Sequence, residues 1–539
     1  MNIKNTTLQN RSKHKKLSES HTIPSHYIED SSVYNFLSDL GRLPYPKEHI
    51  LYSLGIQLLP NLKNLQIKRF LAEYKYPKVE IENIPKGEFD LLGSAYQFLN
   101  SKKENLEKGS FYTGKDVAVD FVKDLDFNNG EVIFDPACGS GSFLFRSEAP
   151  SSQIFGVDSD PIAIMLAKFN YFIKFPNGDA PQIFCEDFFS WFYLNSDKRF
   201  DYVIGNPPYG ANLDLSKIPT EHIISGESFS YFIEFGFWLL KKDGIFRYLL
   251  PEAILNVKRH TDIRKFILTF TGLSRIKRYP KKFSGVMSDV YLLELTHKKQ
   301  NEVLFQDSFD TKIPIEVFKN FKNLIFVHLT QKDISILNKV NSLRKFDLST
   351  SIFGLGVVTG DNKTKFTSEN TIGAEPIYTG KEVEKYTLTT PKNFIVFDRS
   401  KLQQVAPDAI YRAPSKLVYK TINKYLKVAL DTSGSLTSNS ANLIIPLVPD
   451  LNILIILGLL NSNLYSFLHL KLFGGVNKIA KENLMALPLP ELTKIQKSRI
   501  ENLVNGVIKG GSDAKLQEYI NIEIFELSLE EVKYINSCL

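Results

Sequence analysis

An amide, two prolines and an aromatic ring follow one another at the end of an apolar run, Val203-Ile204-Gly205-Asn206-Pro207-Pro208-Tyr209-Gly210. Such a set suits gripping a planar amine. Each proline fixes its own φ and has no N–H, so the Asn206 amide oxygen and the Pro207 carbonyl can be held as acceptors for one amino group. Pro208 stiffens the turn, and Tyr209 can lie flat on a heterocycle. Taken alone, the stretch also reads as a proline turn after a buried strand. Its context is a second strand that runs into a glycine-rich turn and a helix start, Val132-Ile133-Phe134-Asp135-Pro136-Ala137-Cys138-Gly139-Ser140-Gly141-Ser142-Phe143-Leu144. Gly139 and Gly141 permit a tight turn and close backbone approach to a ligand at the switch point of a doubly wound sheet. The next strand, Gln153-Ile154-Phe155-Gly156-Val157, ends in Asp158. A carboxylate about twenty residues after such a turn can accept both ribose hydroxyls, the plainer reading being a solvated loop acid. A third strand, Ile183-Phe184-Cys185, leads into Glu186, Asp187 and Phe188.

Together these residues resemble the adenine-N6 DNA methyltransferases of the Taq type, which use S-adenosylmethionine. In that family the segment matching Asp135 to Gly141 is the cofactor loop and Asn-Pro-Pro-Tyr is the catalytic motif; both stand here without a substitution. Relatives that methylate the amino group of cytosine usually begin the second motif with serine, so Asn206 implies adenine. The resemblance implies that Asp135, Ala137, Gly139, Gly141, Asp158 and Asn206 border the cofactor. It also implies that Asp187 reads the cofactor's adenine amino group with Phe188 packed on the ring; Glu186 is the alternative acid. Gly109-Ser110-Phe111-Tyr112-Thr113-Gly114 matches the family's first cofactor segment, in which Thr113 would hold the methionine end. Gly114 stands where proline is usual, and an ordinary helix cap by Thr113 is the other reading. Phe283 matches a later aromatic that supports the target base; a core phenylalanine is the competing account.

The chemistry follows from the amine. The lone pair of adenine's exocyclic nitrogen is delocalised into the ring, so hydrogen bonds to Asn206 and the Pro207 carbonyl would draw it out and stabilise the charge that develops. Neither a metal nor a covalent enzyme intermediate is required. A base inside a duplex cannot reach such a pocket, so the partner is double-stranded DNA with the target adenine flipped out. Lys258, Arg259, Arg264, Lys265, Arg275, Lys277, Arg278, Lys281 and Lys282 face only Asp262 as an acid along that stretch. Phosphate contact is the functional reading, especially at Lys258, Arg259, Lys281 and Lys282, and a solvated helix face is the alternative. Further on, Gly354 to Lys363, Tyr378 to Tyr386, Leu459 to Ser462 and Leu487 to Pro490 resemble the family's C-terminal target-recognition domain. Thr359, Asn362, Lys363 and Asn439 are its candidate DNA contacts. Ser435, Thr437, Ser438 and Asn442 offer the same hydroxyl and amide chemistry, or a polar surface turn.

Organisation follows from where the patterns change. A chain of 539 residues suggests two or three domains. Residues 1–30 read as a basic disordered tail, 31–105 as a helical region, 106–300 as the catalytic domain, 301–495 as target recognition and 496–539 as a helical end. Strands alternating with helices from Gly109 to about Lys299 predict a doubly wound parallel α/β sheet, which the resemblance makes a class I S-adenosylmethionine-dependent methyltransferase fold. The C-terminal half reads as mixed α/β. A hydrophobic content of 43% supports folding, and no apolar run reaches a membrane span. The run from Leu451 to Leu460, broken by Asn452, reads as a buried helix or strand.

Cys138, Cys185 and Cys538 are too scattered for a disulfide framework, and no Cys or His pairing suggests zinc or another metal. With no apolar signal core, this predicts a cytoplasmic protein. The net charge of +7 suits a polyanionic partner. The expectation is a monomeric, site-specific DNA adenine methyltransferase of a restriction–modification system, paired with a separate nuclease. Competing readings are an RNA adenine or protein glutamine methyltransferase, or a DNA-specificity module without catalysis. No clustered acids and lysine before Gly109 suggest a fused nuclease.

Overall fold

The computed structural model describes residues 31–85, 90–101, 104, 114–280, 289–308, 310–473 and 478–539. The basic tail, Thr113, Lys281, Lys282 and Phe283 lie outside the described residues. The chain divides into two compact units, one made of residues up to 300 with 306–309 and the other of 301–305 with 310–539.

In the first unit the strands are β1 (Ile133–Asp135), β2 (Ile154–Asp158), β3 (Gln182–Cys185), β4 (Phe200–Gly205), β5 (Leu240–Pro251), β6 (Gly272–Tyr279) and β7 (Val290–Thr296). Their spatial order is β3-β2-β1-β4-β5-β7-β6. The first five pair in parallel. After β1 the chain builds outward through β2 and β3, then returns to lay β4 on the other side of β1. That reversal is a topological switch point, and it opens a crevice at the C-terminal ends of β1 and β4. β7 departs from the predicted parallel sheet, because it inserts between β5 and β6 and pairs antiparallel with both. The chain from β6 to β7 is too short for the crossover that a parallel partner needs, so the strand must come straight back.

Among the described residues, the helices of seven residues or more in this unit are α1 (Ser31–Leu40), α2 (Lys47–Leu58), α3 (Leu65–Ala72), α4 (Leu91–Leu99), α5 (Lys115–Val122), α6 (Pro161–Lys174), α7 (Phe188–Leu194), α8 (Ser228–Trp238) and α9 (Thr261–Phe270). Successive strand residues point to opposite faces of a sheet. Phe134 stacks on Phe200 at 4.5 Å and on Trp191 of α7 at 4.9 Å. Its neighbour Ile133 joins Ile154, Ile183 and Ile204 in a core that also takes in Leu37, Leu51, Phe70 and Leu92 from the N-terminal helices. The helical region before residue 105 is therefore continuous with the core of the sheet. Gly55 of α2 lets Phe169 of α6 lie against the helix backbone, since a Cβ there would stand 2.6 Å from the ring. Each such buried ring or branched chain contributes roughly 1.5–3 kcal/mol.

The second unit holds a four-stranded antiparallel sheet ordered Ile352–Gly354, Ala441–Ile445, Lys416–Lys420, Val428–Asp431. A three-stranded sheet, Asn393–Ile395, Glu375–Tyr378, Leu436–Thr437, stands beside it. They share a core of Val357, Ile377, Val418, Leu436 and Leu443. The apolar run after Leu451 is the helix Ile453–Leu460, and the Asn452 that interrupts it is the cap, accepting from Leu454 N at 3.0 Å and Ile455 N at 3.1 Å. Among the described residues no single helix is long and apolar enough to cross a membrane.

Candidate active site

Strand β1 delivers Asp135 to the crevice, 1% exposed, with its Oδ1 accepting from Ala137 N at 3.0 Å. Gly205 at the end of β4 makes room for it, because a Cβ there would lie 2.7 Å from Asp135 Oδ1. Burial first, and the charge of Asp158 second, push Asp135 up to about 8. An acid whose folded pKa is raised lends stability that is full below its unfolded pKa, near 3.9, and is lost as pH rises through the folded value. Asp135→Asn keeps an acceptor for Ala137 and removes the titration. The melting temperature of the variant without cofactor should therefore gain on that of the parent from pH 5 to pH 8 and hold its lead above. Parallel pH profiles would refute this.

The glycine loop turns through left-handed backbone at Gly139 (φ 55°) and Gly141 (φ 85°). At Gly141 a Cβ would stand 2.1 Å from the Phe145 ring, whereas at Gly139 it would meet nothing within 4 Å. Gly141 thus packs inward and Gly139 faces open space. Asp158 ends β2, and its two oxygens accept from Gly139 N and Asp160 N, each at 2.9 Å. It holds the loop against the strand end, a part that its spacing in the sequence did not reveal. Asp187 caps α7, accepting from Ser190 N at 2.9 Å and Ser190 Oγ at 3.1 Å.

The Asn-Pro-Pro-Tyr turn leaves β4 and is fastened to the start of α8. Ser228 Oγ donates to the Pro208 carbonyl and accepts from Ala211 N at 3.2 Å, and Gly210 N donates to Glu227 Oε1 at 2.6 Å. The Tyr209 hydroxyl stands 2.6 Å from Asn206 Oδ1 and 2.8 Å from the Leu249 carbonyl. This differs from the sequence expectation of an open amide oxygen and an outward ring. A phenol carried into the protein needs polar partners, and it finds them in the amide it was expected to leave open. Burial raises the Tyr209 pKa, which keeps the hydroxyl a donor.

A cavity of about 540 Å³ joins these pieces. Asp135, Ala137, Gly139, Asp158, Asp187, Phe188, Asn206 and Pro208 line it; Gly141, Pro207, Tyr209 and Glu186 do not. Asp90, Tyr96 and Asp160 also line it. Sequence reading missed these three. An acid three residues before a glycine at a helix start was the available signal.

A family model described as N-6 DNA methylase matches residues 87–346. A TaqI-like C-terminal specificity domain matches residues 375–489. Over these two segments the chain is similar to N-6 DNA methylases and to TaqI-like specificity domains. The type II methyltransferase M.VspI of Vibrio sp. (strain 343) is 26% identical over 310 residues, 54% of this chain and 75% of that one. The modification methylase CviBIII of Paramecium bursaria Chlorella virus NC1A is 30% identical over 186 residues, 32% of this chain and 46% of that one. Among solved structures, the type IIL restriction–modification enzyme MmeI in complex with DNA matches with a TM-score of 0.56 at 13% identity, covering 95% of this chain and 89% of that one. At that identity the likeness is one of fold.

The basic stretch of the first unit is less available to phosphate than its sequence suggests. Arg264 is 1% exposed and donates to the Ile254 and Val257 carbonyls at 2.9 Å. Arg275 pairs with Glu294 at 2.5 Å, Lys277 with Asp120 at 2.6 Å, and Arg278 with Asp289 at 2.6 Å and Asp307 at 3.1 Å. The acids come from α5, from β7 and the residue before it, and from Asp307 after the next strand, so a local count of charge could not find them. Arg259 is exposed but holds the Ser225 and Gly226 carbonyls at 3.0 and 3.3 Å. Lys258 is exposed. Lys258→Ala should weaken DNA binding alike for all sequences and lower the salt slope by about 1. In salt titrations Arg275→Ala should leave that slope unchanged, and a fall would mean that Arg275 meets phosphate.

In the second unit the structure brings two predicted segments together. Val357 N donates to the Thr437 carbonyl at 2.6 Å, and Asn439 N to the Val357 carbonyl at 3.0 Å. Gly356 permits this approach, since a Cβ there would lie 1.9 Å from Ser438 O. Asn362, Lys363 and Asn439 are exposed, while Thr359 is buried and donates to Asn362 Oδ1 at 2.6 Å. Ser435, Thr437 and Ser438 are buried, and Asn442 accepts from Gly356 N at 3.0 Å. Asn442 and Ser438, whose Oγ accepts from Ser440 N at 3.4 Å, serve the loop's backbone. Ser435 Oγ stands 2.7 Å from Ser433 Oγ, and Thr437 is enclosed with no partner for its hydroxyl among the described residues, so the three buried hydroxyls are not surface readers.

Proposed function

We propose that this enzyme transfers a methyl group from S-adenosylmethionine to N6 of an adenine flipped out of duplex DNA, as the modification enzyme of a restriction–modification system with a separate nuclease. The observation that carries the reading is that Asn206 shares one cavity with Asp158 and Asp187. The donor set fits the cofactor. Asp158 offers carboxylate oxygens to ribose hydroxyls, Asp187 accepts from an adenine amino group, Phe188 supplies an apolar face, and the bare Gly139 leaves backbone open to a ligand. When bound, S-adenosylmethionine supplies a methyl group made electrophilic by its sulfonium.

The protein's own part is to grip the acceptor. Asn206 Oδ1 and the Pro207 carbonyl accept the two amino hydrogens, which favours a pyramidal nitrogen and stabilises its growing positive charge. Tyr209, anchored by its hydroxyl, fixes the Asn206 amide. Holding nitrogen and methyl group in line supplies part of the remaining rate, roughly 7–11 kcal/mol at best. The proton left on the product nitrogen passes to solvent as the base swings back. Incubation with a defined plasmid, followed by sequencing of modified positions, tests this: N6-methyladenine should appear within one recurring sequence. Unmodified DNA, or methyl groups scattered without sequence, would overturn it.

A further inference from the structure

Helix α4 comes from the N-terminal helical region, yet its first turn is built around the glycine loop. Asp90 caps this helix from left-handed backbone (φ 52°), a conformation that costs a non-glycine residue free energy. Its Oδ1 accepts from Gly93 N at 2.9 Å and from Asn170 Nδ2 at 2.8 Å. Its Oδ2 accepts from Ser140 Oγ at 2.7 Å and from Ser142 Oγ. A carboxylate has about four acceptor positions, so these donors fill it. Two of them belong to the glycine loop, and Asn170 adds a second hold by donating to the Ser140 carbonyl at 3.0 Å. The fit is close: a Cβ on Gly93 would stand 2.4 Å from both Asp90 Oδ2 and Ser140 Oγ. Further along the helix, the Tyr96 hydroxyl donates to Asp160 Oδ2, while Asp160 N donates to Asp158. One helix thus holds the loop and the ribose side of the cavity.

We propose that Asp90 is a positioning residue for the cofactor loop, so that the N-terminal helical region is part of the S-adenosylmethionine site. The inference rests on the proposed occupant of the cavity. Asp90 is 8% exposed, and burial works against its charge while the four hydrogen bonds favour it. A carboxylate already filled with donors is poorly placed to bind the cofactor's ammonium. It is well placed to fix Ser140 and Ser142, and with them the left-handed turns at Gly139 and Gly141.

The test is calorimetric binding of S-adenosylhomocysteine to the full chain. Asp90→Ala should weaken binding roughly tenfold or more, because two hydrogen bonds to a charged group no longer hold the loop. Asp90→Asn should fall between it and the parent, since serine hydroxyls can turn to accept from an amide. In turnover, the loss should appear as a higher KM for S-adenosylmethionine, with a smaller change in kcat and in KM for DNA. If Asp90→Ala does not fold, the Ser140→Ala, Ser142→Ala pair carries the test, as it removes only the loop's side of the contact. A folded variant of either kind that binds as the parent does, or one that loses DNA affinity and not cofactor affinity, overturns the proposal. A parent that binds no S-adenosylhomocysteine would instead overturn the reading of the cavity.

Discussion

Asn206→Ala should lose a factor of roughly 10²–10³ or more in single-turnover methyl transfer while binding S-adenosylmethionine within about threefold of the parent. That loss corresponds to about 2.7–4 kcal/mol, the range for removing one preorganised group that meets charge in a transition state. The separation of effects follows from position. Asn206 stands at the end of β4, whereas the loop that faces the cofactor is held by Asp135, Asp158 and Asp90 from other elements. Removing the amide also strips the Tyr209 hydroxyl of one partner but leaves it the Leu249 carbonyl at 2.8 Å, so the turn keeps its anchor. A variant that retains about a tenth of normal turnover would show that Asn206 is not the group that meets the amine.

The second large effect is expected at Asp158. Asp158→Ala should weaken cofactor binding by about 1.5–3 kcal/mol, the range for hydrogen bonds to a charged group, and leave the methylated sequence unchanged. Two causes act together. The ribose loses its acceptor, and Gly139 N and Asp160 N lose the oxygens that hold them at 2.9 Å. Asp158→Asn separates the two, since it keeps one acceptor oxygen and places an amide where Gly139 N or Asp160 N donates. Calorimetry should rank the parent above both variants; equal affinities would move the ribose contact to another residue.

The parts of this site that were legible in the sequence are those whose chemistry is local. Asn206 to Gly210 and Asp135 to Gly141 each lie within one turn, and their residue types follow from what that turn must do. The crevice at the ends of β1 and β4 follows from strands alternating with helices. What the sequence hid depends on distant pairing. Asp90 meets Ser140 across fifty residues, and Lys277 meets Asp120 across more than a hundred, so neither the clamp nor the neutralised basic stretch can be counted along the chain. The antiparallel β7 was hidden for a related reason, because its apolar residues suit a buried strand of either direction. Buried hydroxyls such as Thr437 and Ser438 read as surface chemistry until the turn that encloses them is seen.

The proposed function requires that the Asn-Pro-Pro-Tyr turn grip an adenine amino group of DNA. The most direct measurement offers the protein labelled S-adenosylmethionine with duplex DNA, RNA and glutamine-bearing protein in one mixture, then identifies the labelled product by mass spectrometry. Label should appear as N6-methyladenine in DNA and vanish with Asn206→Ala. Label in N4-methylcytosine, in RNA or in glutamine, or label that survives Asn206→Ala, would contradict it.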